Sequence, residues 1–128
     1  MKKILIVTAT YSKDISLGWL NSAKKNLPRN FNIKIIKVPG VFEIPVTISK
    51  HLKKFDAFIA LGCVIKGQTP HFDFISQSST NAIMDLAISS KKPIGNGILT
   101  CLNMKQAKAR KKKGAEAAKA VVSVLSQK

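Results

Sequence analysis

Apolar residues gather in four short runs, separated by stretches in which they recur every three or four positions. The runs are Lys3–Thr8, Asn32–Val38, Ala57–Val64 and Pro93–Thr100, each of strand length. The first and third are nearly all apolar, as in parallel strands covered on both faces. Asn32–Val38 alternates apolar residues with lysines, which suits an edge strand whose charged side chains discourage pairing with a second sheet. The intervening stretches predict helices over about Ser16 to Leu27, closed by Pro28, over Phe42 to Lys53, entered through Pro39-Gly40, and over Pro70 to Ser89. Thr69 is placed as the N-cap of this last helix and Pro70 as its first residue, where a missing N–H costs nothing.

After the fourth strand, Asn103 followed three residues later by Gln106 has the pattern of a capping box and opens a short helix into the lysine-rich segment around Arg110. Gly114 is expected to break that helix, and Ala115–Leu125 to form a closing amphipathic one. Strands alternating with helices predict an α/β fold with a parallel sheet and right-handed crossovers that put helices on both faces. At 128 residues the chain is expected to be one domain, large enough to bury roughly two thirds of the surface it exposes when unfolded.

Two cysteines, Cys63 and Cys101, are too few for a disulfide framework, and no apolar run reaches membrane-spanning length. Met1-Lys2-Lys3 leads straight into a strand rather than a signal peptide. A cytoplasmic, soluble protein is expected. The net charge of +16, from 22 Lys plus Arg against 6 Asp plus Glu, attracts anions of many kinds. The lysines are spread along the whole chain and Arg29 and Arg110 are the only arginines, so specific nucleic-acid recognition is not expected, since it favours the guanidinium fork.

The chemistry concentrates between residues 38 and 73. His71 lies just past the carboxyl end of the third strand, in the first turn of a helix, where open α/β sheets place their ligands and helix N–H groups can hold an anion. An imidazole there can take and give a proton near neutral pH. Glu43, one of two glutamates, sits in an otherwise uncharged turn and can accept hydrogen bonds from a polyol or amine. Phe42 can be core or ligand wall, and Tyr11 offers a face for stacking on a heterocycle. Arg110 can clamp an oxyanion with two parallel bonds. His51, beside three lysines at a helix end, reads as a surface residue, and the two thiols as inert core. No metal-ligand spacing, phosphate loop or dinucleotide fingerprint is present.

Val38-Pro-Gly-Val-Phe-Glu-Ile-Pro45, Ala60-Leu-Gly-Cys-Val-Ile-Lys-Gly-Gln-Thr-Pro-His-Phe-Asp73, Gly97-Ile-Leu-Thr100 and Gly114-Ala-Glu-Ala-Ala118 together resemble the lumazine synthase family. The resemblance runs in order along essentially the whole chain, residues 1–128. It implies a flavodoxin-like three-layer α/β/α sandwich with strand order 2-1-3-4, and a homopentamer with active sites between neighbouring subunits. It implies the penultimate step of riboflavin biosynthesis, in which 5-amino-6-(D-ribitylamino)uracil and 3,4-dihydroxy-2-butanone 4-phosphate condense to 6,7-dimethyl-8-ribityllumazine, releasing phosphate and water, with no cofactor and no metal. Residue by residue, it implies that Tyr11 stacks on the pyrimidine, that Val41, Phe42 and Glu43 hold the ribityl chain, and that the backbone of Cys63, Val64 and Ile65 reads the ring edge. Gln68 and Thr69 would then give N–H groups to phosphate, Arg110 of the adjacent subunit would clamp its oxygens with Lys113 nearby, and His71 would carry the proton.

The chain departs from the family at three places. Asn96 stands where many members present a phenylalanine to the neighbouring site, Cys101-Leu102 replaces a Thr-Thr-like pair, and the segment from Arg110 to Gly114 is short. Because the sequence starts at the first strand, a pentamer or a pair of pentamers is expected rather than a shell. The alternative from another class is a lumazine or flavin carrier without turnover, which would need neither His71 nor Arg110. A flavodoxin-like electron carrier fits less well, because the loop after the first strand lacks the glycine of a phosphate loop.

Overall fold

A computed structural model describes residues 2–10, 13–67 and 70–127, with the side chain of Lys13 left out of the description. Four strands, β1 (Lys3–Ala9), β2 (Asn32–Val38), β3 (Ala57–Ile65) and β4 (Ile94–Cys101), form one sheet in the order β2-β1-β3-β4. Every pairing is parallel, with Ile4 opposite both Ile33 and Ala57, and Phe58 opposite Ile94. The helices are α1 (Lys13–Lys25), α2 (Ile44–Lys50), α3 (His71–Ser90), α4 (Met104–Ala109) and α5 (Lys113–Leu125).

The period-two geometry of β1 builds two cores at once. Ile4 and Ile6 point to a layer containing Trp19 and Ala23 of α1 and Ala117, Ala118 and Val121 of α5. Leu5, Val7 and Ala9 point the other way, to Ile44 and Ile48 of α2 and Ile83 of α3. Being covered on both sides explains the unbroken apolar run of β1, and the edge position of β2 explains its exposed Asn32, Lys34 and Lys37. The expected three-layer α/β/α sandwich with a 2-1-3-4 parallel sheet is what forms.

Several boundaries differ from the sequence expectation. Helix α1 starts at Lys13, three residues before the expected start, and Ser16 in its first turn donates its hydroxyl to the carbonyl of Ala9 (2.9 Å). It ends at Lys25, where Asn26 and Leu27 donate to carbonyls only three residues back and tighten the last turn. The helix expected over Phe42–Lys53 is a 3-10 turn at Val41–Glu43 followed by α2, and the break falls beside Pro45, which has no N–H to continue the ladder. Pro70 caps α3 rather than opening it, accepting from the N–H of Phe74 (3.2 Å). Thr69, expected as the cap, lies outside the described residues.

Gly114 does not break a helix. It lies in the first turn of α5, where a Cβ would collide with the carbonyl oxygen of Trp19. The glycine therefore serves a close approach of α5 to α1 rather than a turn. Half of the expected capping box forms at Asn103, whose Oδ1 accepts from Gln106 N (2.9 Å); Gln106 Oε1 reaches one residue further back and accepts from Leu102 N (2.7 Å).

Candidate active site

Three segments meet at the carboxyl end of the sheet to enclose a cavity of about 670 Å³, within the range of small-molecule sites. The first is the turn after β2. Gly40 is extended and its carbonyl accepts from Glu43 N (3.2 Å), closing the 3-10 turn. Three residues per turn send each side chain a different way. Val41 is buried, Phe42 is 65 % exposed and Glu43 is half-buried between them. Thr47 donates its hydroxyl to the main-chain carbonyl of Glu43 (2.8 Å) and anchors the turn to α2.

The second segment is the end of β3. Cys63, Val64 and Ile65 line the cavity at their strand positions, and Lys66 N donates to Cys101 O (2.9 Å), which holds the strand end against β4. The sulfurs of Cys63 and Cys101 lie 3.8 Å apart. Burial, and then the neighbouring Cys101, push the Cys63 thiol up to about 12, so it stays protonated near neutrality and presents no nucleophile. The third segment is the start of α3, where His71 and Ile75, four residues apart and so on one helix face, close the cavity.

Seven of the residues singled out from the sequence thus share one cleft: Val41, Phe42, Glu43, Cys63, Val64, Ile65 and His71. Gly40 and Ile75 also line it and were not singled out. The spacing of Ile75 from His71 was the available signal. Tyr11, Gln68 and Thr69 lie outside the described residues. Three others stand away from this cavity in the same chain. Asn96 lies on edge strand β4 opposite Ala60, about 10 Å of strand rise before Cys63, and its Oδ1 accepts from Ile98 N (3.0 Å). Arg110 occupies the corner between α4 and α5, with its guanidinium 3.9 Å from the carboxylate of Glu116 and both side chains about half exposed. Lys113 begins α5 and donates its N–H to Arg110 O (3.2 Å). Glu116 is a further residue that composition did not single out.

Among the described residues no cluster of three or more His, Cys, Asp or Glu could hold a metal ion, and no helix is long and apolar enough to cross a membrane. The cleft instead offers an apolar floor, one carboxylate, one imidazole and a helix start. Those groups suit binding a polar, partly aromatic molecule and moving protons on it.

Residues 1–128 match the model of a family described as 6,7-dimethyl-8-ribityllumazine synthase. Proteins of that name are similar to the chain in Rhodopseudomonas palustris strain BisA53 (42 % identical, over 96 % of this chain and 83 % of the relative) and Agrobacterium fabrum strain C58 (42 %, 98 % and 93 %). One from Cutibacterium acnes is 38 % identical over 97 % of this chain and 80 % of its own length.

Proposed function

Because the chain belongs to the 6,7-dimethyl-8-ribityllumazine synthase family of transferases in riboflavin biosynthesis, we propose that the cleft beneath His71 is where its two substrates condense. The substrates are 5-amino-6-(D-ribitylamino)uracil and 3,4-dihydroxy-2-butanone 4-phosphate. The observation that carries this reading is the convergence of Phe42, Glu43, Cys63–Ile65 and His71 on one cavity.

Glu43 accepts hydrogen bonds from ribityl hydroxyls while Phe42 covers the chain, and the main chain at Cys63–Ile65 meets the edge of the pyrimidine. The phosphate sits past β3, held by the N–H groups of Gln68 and Thr69 and by Arg110 and Lys113 of an adjacent subunit. Tyr11 stacks on the ring, and Asn96 of the neighbour approaches it from the other side. The amine attacks the ketone and loses water to give a Schiff base. Phosphate then leaves with a proton, and the second ring closes with loss of another water. Each step moves a proton, which His71 carries. Most of the acceleration comes from holding two reactants in contact, so modest acid–base help suffices.

This division of the site requires an oligomer, here a homopentamer or a pair of pentamers. Phe42, Val46, Phe74, Met84 and Ile88 are all exposed in the isolated subunit, which supports covering of these apolar side chains by further copies. The whole chain acts as one catalytic domain in the cytoplasm. A carrier without turnover would bind the product equally well, so turnover decides. Purified protein mixed with both substrates should form fluorescent lumazine above the uncatalysed background. His71→Ala should lower kcat by about a hundredfold, the low end for a single proton carrier. Tight product binding without turnover would favour the carrier.

A further inference from the structure

Trp19, the chain's only tryptophan, is 3 % exposed on α1, on the face of the sheet away from α2 and α3. Its indole N–H donates to the main-chain carbonyl of Arg110 at 2.9 Å, across 91 positions of sequence. That carbonyl also accepts from Lys113 N (3.2 Å), and Arg110 N donates to Ala107 O (3.2 Å). These last two bonds stay within the corner between α4 and α5 and shape it without locating it. Among the described residues, the indole bond is the one that ties the main chain of Arg110 to a different part of the fold.

The main chain of Trp19 makes a second attachment, since Gly114 packs against its carbonyl so closely that a Cβ could not be fitted. One residue of α1 therefore holds both ends of the segment from Arg110 to Gly114. The Arg110 side chain meanwhile stays about half exposed, 3.9 Å from Glu116, and can exchange that carboxylate for another oxyanion. A phenylalanine would fill much of the same apolar space, but only the indole adds a donor.

We propose that Trp19 is a positioning residue for Arg110: through its indole N–H it sets where the guanidinium projects, and so how tightly the enzyme holds the phosphate of the butanone substrate. The inference rests on the reading of Arg110 as the phosphate clamp. Its physical basis is that a long side chain reaches a fixed oxyanion efficiently only when its own backbone is fixed, and small misplacements are costly.

The test measures KM separately for the two substrates in Trp19→Phe, which keeps an aromatic ring and removes the donor, and in Arg110→Ala. A second replacement guards against loss of packing. Because there is one tryptophan, incorporating benzothienylalanine exchanges this single N–H for sulfur at nearly constant shape. Both replacements at Trp19 should raise KM for the butanone phosphate about three- to tenfold and leave KM for the pyrimidine within about twofold. Trp19→Phe should add nothing further to that KM once Arg110→Ala is present.

If Arg110→Ala raises the butanone phosphate KM while both replacements of Trp19 leave it unchanged, the positioning role is wrong and the clamp stands. A parallel rise in both KM values would mean general loosening and would also overturn it. If Arg110→Ala leaves that KM unchanged, the clamp reading fails and this inference fails with it.

Discussion

The side chain of Val41 rests on the bare Cα of Gly62: a Cβ at Gly62 would lie 2.7 Å from Val41 Cγ2 and 3.3 Å from Ala9 Cβ. The turn that carries Phe42 and Glu43 is thereby seated on β3, and the glycine is what lets it sit so low. Gly62→Ala must lift that turn, at a cost of about 1–3 kcal/mol for overpacking. The expected outcome is a lower melting temperature together with a raised KM for the ribityl substrate, checked by thermal unfolding and steady-state kinetics.

The thiol of Cys63 gives a pH prediction. Its pKa is raised from 9.0 to about 12 by burial and by Cys101. A group raised on folding stabilises the protein fully below its unfolded pKa, and that contribution is lost as pH climbs through the folded value. Stability should therefore decline between about pH 9 and pH 12, and less so in Cys63→Ser. Native protein should resist iodoacetamide near pH 8 at Cys63 and react once unfolded, which mass spectrometry of the alkylated peptide reads directly.

Charge acts on one substrate and not on the other. With a net charge of +16, the phosphorylated butanone is drawn to the protein by a field that salt screens within about 10 Å at 0.1 M. Raising the salt from about 20 to about 200 mM should increase KM for the butanone phosphate about two- to fivefold. The uncharged ribityl substrate should show little change. Equal sensitivity of both substrates would point to a salt effect on assembly instead.

The legible parts of this fold are those in which a local pattern and a tertiary requirement agree. β2 was readable to the residue because alternating lysines, a preceding polar turn and Pro39-Gly40 all mark the same edge strand. The helix cap made by Asn103 and Gln106 was readable because both partners lie within one turn. Gly114 was misread because a glycine that permits a close approach looks, in sequence, like one that ends a helix. The break at Pro45 hid inside an otherwise helical apolar pattern.

The same distinction holds for the site. Its cleft residues come from two compact motifs at the carboxyl ends of β2 and β3, which lie at the same end of the parallel sheet with β1 between them, so their convergence followed from topology. The bond from Trp19 to Arg110 had no local signature, because 91 positions separate the partners. That Arg110 and Asn96 stand away from the chain's own cavity was not readable from its local pattern either.

The measurement that bears most directly on a cleft divided between neighbours is complementation in mixed assemblies. Chains carrying His71→Ala and chains carrying Arg110→Ala are co-expressed in equal amounts and purified together. In a ring, a cleft is whole wherever an Arg110→Ala chain supplies the imidazole beside a His71→Ala chain that supplies the guanidinium, which random mixing provides about one time in four. Activity near a quarter of wild type, well above either variant alone, is the expected result. A mixed assembly no more active than its two parents would show that each chain furnishes both groups by itself, and would contradict the shared site.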